Sequence, residues 1–133
     1  MGNHHILIVD DDETLLKLLG ITVKGLYPNC QIVVYSDSLA ALDQVQMVSN
    51  SRSFDLIITD YDMPAMNGLE LARAVYDLYP HTRVVLMTGH AHVPGLNGDD
   101  RPLNLVGRLQ KPFLKEEVKQ TLKAALVNSP GGV

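Results

Sequence analysis

The sequence predicts an α/β fold, an open five-stranded parallel sheet with helices covering both faces. Three observations carry this. Short apolar runs rich in β-branched residues alternate with segments whose apolar residues recur at helical spacing. The third run, "FDLIIT" (54–59), is apolar without alternation, as a strand buried on both faces requires. Strand and helix signals following one another in this way describe a sheet built from right-handed crossovers, with every strand's carboxyl end on one edge.

The elements follow in order. "HHILIV" (4–9) is the first strand, and Leu15, Leu16, Leu19, Val23 and Leu26 form the stripe of a helix that ends in the turn chemistry of "YPNC". "QIVVY" (31–35) is the second strand. Asp37 or Ser38 caps a helix whose expected apolar face is Leu39, Leu42 and Val45. After the third strand, Asn67 caps a helix with Leu71, Ala72, Val75 and Tyr79 on one side, closed by Pro80. "RVVLMT" (83–88) is the fourth strand and "LVGRLQ" (105–110) a weaker fifth. The last helix sets Leu114, Val118, Leu122, Ala125 and Leu126 on one face, with acids early and lysines late along the dipole. Between the fourth and fifth strands lies "GHAHVPGLNGDDRPLN" (89–104), where two prolines and three glycines argue against the helix that a βα repeat calls for. A short, distorted or absent helix is expected there.

Composition bounds the function. The 133 residues make one domain with a single core, 46% hydrophobic and 20% charged. Its expected core is 4–127, with 128–133 a tail or the start of a linker. A formal net charge of -4 leaves no basic surface to ask for nucleic acid. No apolar run approaches a membrane span and no signal peptide is visible, so no membrane partner is expected. The single cysteine, Cys30, excludes an internal disulfide and suits a reducing, cytoplasmic location; its simplest reading is a small residue near a strand start. His4 and His5 decide nothing, and His81, His90 and His92 read as loop histidines, His90 near the pocket mouth.

Ligand sites in such sheets form outside the carboxyl ends of the strands. The residues there are Asp10 to Glu13 after the first strand, Asp60 and Asp62 after the third, Thr88 after the fourth, and Lys111-Pro112 after the fifth. Alone, each has an ordinary reading: an acidic helix start, a strand-end acid, a β-branched strand residue, a turn. Together they are a cluster of carboxylates that repels itself without a cation. All-oxygen ligands favour a hard ion, and Mg²⁺ takes one or two carboxylates while keeping several waters. Such a site beside a lysine and a hydroxyl suits phosphoryl transfer, with Asp60 as nucleophile, Lys111 as a compact positive charge and Thr88 as a donor.

These residues resemble the receiver domain of two-component response regulators. "ILIVDDDE", "DLIITDYDMPAMNGLEL", "VVLMTG" and "KPF" match its signature blocks in order and spacing, over roughly residues 4–127. The resemblance implies a flavodoxin-like sheet of order 2-1-3-4-5. It makes Asp60 the acceptor of phosphate from a histidine kinase or a phosphotransfer protein. Asp11 and Asp60 would ligate Mg²⁺, Asp62 through its backbone carbonyl, and Asp10 through water. Thr88 would be the switch hydroxyl, Lys111 the phosphate-sensing lysine, and Pro112 would follow a cis bond. The chain would then be a switch with accessory self-phosphorylation and slow self-dephosphorylation rather than a dedicated enzyme, with an effector domain possible beyond Val133.

One position departs from the family. Three residues before Lys111 most receivers carry an aromatic ring, and here Arg108 stands there; its charge needs a partner if it turns inward. Signalling through ordering of 89–104 is therefore expected instead. Two other readings remain. One is a degenerate receiver serving only as an interaction module, motivated by Arg108 and the irregular segment. The other is a haloacid-dehalogenase-type phosphatase using Asp60 and Asp62 as its DxD pair, against which stand the upstream position of the other acids and the lack of a cap domain.

Overall fold

In a computed structural model, residues 4–48, 53–96 and 101–127 are described. The elements run β1 (His5–Val9), α1 (Glu13–Leu26), β2 (Gln31–Tyr35), α2 (Ser38–Met47), β3 (Leu56–Asp60), α3 (Gly68–Leu78), β4 (Arg83–Thr88), β5 (Leu105–Gln110) and α4 (Lys115–Val127). All the strands pair in parallel in the order β2-β1-β3-β4-β5, as the resemblance implied. This is a flavodoxin-like fold.

Alternation along the central strands splits the core. Leu7, Val9, Ile57, Val84 and Leu86 face α2 and α3. Ile6, Ile8, Leu56, Ile58, Val85 and Met87 face α1 and α4. Because both faces are covered, every residue of β3 is buried, which is why its sequence shows no alternation.

Helix starts follow the expected chemistry. Asp37 accepts from Leu39 and Ala40 N–H at the head of α2. Asn67 and Glu70 close a capping box on α3. Two expected faces are corrected. In α2 the buried residues are Ser38, Ala41 and Val45, while Leu39 is exposed and Leu42 packs only at the edge. The helix turns this way because small residues permit a close approach to the sheet. On the last helix only Leu114 departs from the expected face: it is exposed because α4 begins one residue later, while Val118, Leu122 and Ala125 are buried as expected and Leu126 packs against them.

No helix forms between β4 and β5 among the described residues. Pro94 cannot donate and Gly95 adopts φ +82°, so the chain turns there. It is still anchored: Val93 and Leu96 are buried in the core beside α3, filling space that a helix would otherwise cover. Residues 97–100, part of the expected irregular segment, lie outside the described residues, as does the 128–133 tail.

Candidate functional site

The carboxyl ends of β1, β3, β4 and β5 meet at one edge. Asp10 directly follows β1, Asp60 ends β3, Thr88 ends β4 and Lys111 directly follows β5. The expected third strand, 54–59, is moved forward to Leu56–Asp60, so residue 60 is itself held by the ladder opposite Met87. Val9 pairs with Thr59, which sets Asp10, just after β1, beside Asp60 at the end of β3.

Asp10 is fully buried, Asp60 is nearly so and Asp11 is exposed; one carboxylate oxygen from each lies within 4.8 Å of the others. Lys111 Nζ donates to Asp10 Oδ2 at 3.0 Å and sits 2.9 Å from Asp60 Oδ1. Asp10 Oδ1 accepts the Asp12 N–H at 2.9 Å, and Asp12 in turn caps α1 through Thr14 and Leu15. The first acid is thereby fixed by the helix start that follows it. The Lys111-Pro112 bond is cis.

Three carboxylates and one ammonium leave two negative charges in a largely buried space. Burial pushes the Asp60 carboxyl above the usual carboxylate range; the neighbouring charges of Asp10 and Asp11 add to this, and Lys111 opposes it. Burial draws the Lys111 ammonium down, but hydrogen bonds to Asp60 and Asp10 and their charges outweigh that and raise it overall. The donor set is therefore all-oxygen and short of positive charge, and it suits a small divalent cation with ligand distances of about 2.1 Å.

The loop after β3 reverses tightly above this cluster. Met66 N–H donates to the Pro64 carbonyl at 2.7 Å, and Ala65 lies in the left-handed region at φ 69°. Gly68 then starts α3 against the strand end. A Cβ at Gly68 would fall 2.5 Å from the Asp60 carbonyl oxygen and 2.6 Å from Leu86 Cδ1. Only glycine fits.

The remaining expected residues lie at the mouth. Thr88 is buried, and its Oγ1 accepts the His90 N–H at 2.9 Å. The Asp62 carboxylate turns away from the acidic cluster to His90, with Oδ2 2.6 Å from Nε2. Arg108 is half-buried, and its partners are the carbonyl oxygens of His90 (2.5 Å) and Ala91 (3.0 Å) and the Gln110 side-chain oxygen (3.0 Å). The sequence signals the acids, Thr88 and Lys111 at strand ends. It holds no comparable signal for the Arg108 contacts or the His90–Asp62 pair, which bring together residues on separate loops and strands.

Comparison with known proteins places the family and the fold. Residues 6–123 match the sequence model of the response regulator receiver domain. The chain is 34% identical over 125 residues to the response regulator receiver protein CpdR of Brucella abortus (strain 2308), covering 90% of this chain and 98% of that protein. It is 32% identical over 125 residues to the transcriptional regulatory protein GlrR of Escherichia coli (strain K12), where it covers 94% of this chain but spans only 27% of the relative. Among solved structures, the chemotaxis response regulator CheY4 of Vibrio cholerae superposes with a TM-score of 0.77 at 27% identity, covering 93% of this chain and 99% of that one.

Proposed function

Because the chain belongs to the response regulator receiver family, we propose that it acts in two-component signalling as a phosphoacceptor switch, with Asp60 as the residue that carries the phosphoryl group. One observation supports this above the others: Asp10, Asp11 and Asp60 converge with Lys111 at a single buried strand edge. An Asp60 oxygen attacks phosphorus, the bond from phosphorus to the donor breaks, and its electron pair leaves with the donor. Lys111 neutralises one phosphoryl oxygen, and the Thr88 hydroxyl donates to another once it turns toward the pocket. Asp11, Asp60 and the Asp62 carbonyl would hold Mg²⁺, with Asp10 helping through water. Bound there, the ion supplies charge neutralisation for the transferring group. The cost of bringing a dianion into an acidic pocket is thereby offset.

The donor is a histidine kinase or a histidine phosphotransfer protein, and self-phosphorylation and slow self-dephosphorylation are accessory to the switch. No helix among the described residues is long and apolar enough to cross a membrane; with the lone buried Cys30, a cytoplasmic location is proposed. An effector beyond Val133 is compatible with relatives such as GlrR, of which the chain spans 27%. Incubation with Mg²⁺ and acetyl phosphate tests the reading. One acid-labile phosphate per chain should form, and none in Asp60→Asn. A multiple-turnover release of phosphate from chromogenic esters would instead favour a phosphatase.

A further inference from the structure

We propose that the open edge of β2 is a docking site for an extended acidic segment of a partner protein, which joins the sheet as a further strand and lays its side chains in the groove between β2 and α1. The inference is independent of the phosphoacceptor reading above. β2 stands at the end of the strand order and pairs with β1 alone among the described residues. Gln31 N–H donates to the His4 carbonyl at 2.8 Å, and the Tyr35 carbonyl accepts the Asp10 N–H at 3.2 Å. Backbone groups alternate sides along a strand, so the odd-numbered residues serve β1 and the N–H and C=O of Ile32 and Val34 face outward. Such edges are ordinarily blunted by a charge, a proline or a bulge within the strand. "QIVVY" carries no charge and no proline, and it pairs without a register shift.

The ground beside that edge is shaped for an occupant. Ile32 and Val34 form one wall of an apolar groove and Ile21 of α1 the other, with Val34 47% and Ile21 65% exposed. Gly20 and Gly25 of α1 also line it. The packing requires neither glycine. A Cβ at Gly25 would meet no described atom within 4 Å, and one at Gly20 only Val34 Cγ1 at an ordinary 3.7 Å. Glycine weakens a helix interior relative to alanine. Two of them on one open groove leave room for a chain from outside.

Charge selects that chain. Lys17 and Lys24 flank Ile21 along the groove, two helical turns or about 10 Å apart. No acid lines the groove among the described residues. Lys24 is held in place, its Nζ donating to the Cys30 carbonyl at 2.7 Å. A strand shows every second residue to one face, about 6.6 Å apart. Two acids on either side of one apolar residue on that face therefore reach the lysines while the apolar side chain fills the groove. A second copy of this chain fits poorly. Two-fold pairing of β2 with itself is antiparallel and puts both α1 helices on one face, so Lys17 and Lys24 of one copy meet the same cations of the other.

The test uses the whole chain and a fluorescein-labelled peptide, Thr-Glu-Thr-Ile-Thr-Glu-Thr, whose pattern is the same in both strand directions. Fluorescence anisotropy should show saturable binding with a dissociation constant on the order of 10⁻⁴ M, and the Ile32 and Val34 amide signals should shift in NMR spectra. The same peptide with Lys in place of Glu should not bind. Gly25→Leu plugs the groove from the helix side, so it should weaken binding by about tenfold or more while melting no lower than the unaltered protein. Val34→Pro removes one outward N–H and spares the ladder to β1; it should weaken binding on the order of tenfold, and Gly25→Leu carries the test should Val34→Pro not fold. Replacing both lysines, Lys17→Gln with Lys24→Gln, should also cost on the order of tenfold. Absence of saturable binding, equal binding of the Lys peptide, or undiminished binding to Gly25→Leu would overturn the proposal. Concentration-dependent dimerisation in sedimentation, removed by Gly25→Leu, would assign the edge to a second copy and overturn the partner segment.

Discussion

At Asp60 the fold holds a carboxylate where burial and two like charges disfavour ionisation, with one lysine in opposition. The folded protein therefore binds a proton there more tightly than the unfolded chain does. The resulting stability is present below the ordinary carboxylate value of 3.8 and is lost as pH rises through the raised folded value. In chelator, Asp60→Asn should therefore melt a few degrees above the unaltered protein at pH 7, and the gap should close toward pH 3.5; thermal scans across pH would reveal an absent or inverted trend. Lys111 follows the same sign in a higher window, because its folded value is also raised: its contribution is present at neutral pH, below the ordinary 10.5, and is lost as pH climbs through the raised one. Removing it leaves the fully buried Asp10 without its cation. Lys111→Ala should cost roughly 3 kcal/mol at neutral pH, the penalty for breaking a buried pair from one side. Urea denaturation at pH 7 would measure it, and a loss below about 0.5 kcal/mol would mean that Asp10 finds another partner.

The helices and strands show why some of this could be read from the sequence and some could not. Asn67 with Glu70 three residues on is a local signal, and the capping box is there. β3 was legible as apolar and doubly buried because every one of its residues faces a covered side. Leu39 and Leu114 mislead because helical spacing identifies a periodic stripe, while the sheet's approach and the start of the helix decide which stripe is buried. Arg108 shows a deeper limit. Its type signals that a partner is required, but two of its three partners are backbone carbonyls that any sequence would offer. At the start of α3, Gly68→Ala would drive a methyl into the Asp60 carbonyl and Leu86. It should cost about 2 kcal/mol, as overpacked sites do, and lower phosphate uptake because the strand end carrying Asp60 must shift. Asn67→Ala is the matching control for the same helix. It should cost about 1 kcal/mol by loss of the cap and leave uptake nearly intact. Equal losses of uptake in the two would show that α3 as a whole, rather than its contact with Asp60, governs the site.

Over the whole molecule, parallel pairing in the order β2-β1-β3-β4-β5 gathers residues separated by as much as 101 positions, as in the Lys111–Asp10 bond. Right-handed crossovers force this gathering, so the edge where the site lies was foreseeable from the alternation of elements. The strand order was not, and came from the family resemblance. The same gathering loads one edge with acids that only the folded chain brings within 4.8 Å of one another. A cation that needs all of them binds the folded state alone, and by mass action it must stabilise that state. With free Mg²⁺ at about a hundred times its dissociation constant, the gain should be about 2.7 kcal/mol, or roughly 8 °C for a chain of this size. Titrating Mg²⁺ during thermal unfolding reads this directly. Asp11→Asn is the decisive variant, because Asp11 is exposed and its loss should leave the core intact while abolishing most of the Mg²⁺-dependent rise. A rise of equal size in Asp11→Asn would mean that the ion acts by screening the net charge of -4 rather than by joining strand ends, and the metal site would have to be abandoned while the fold stood.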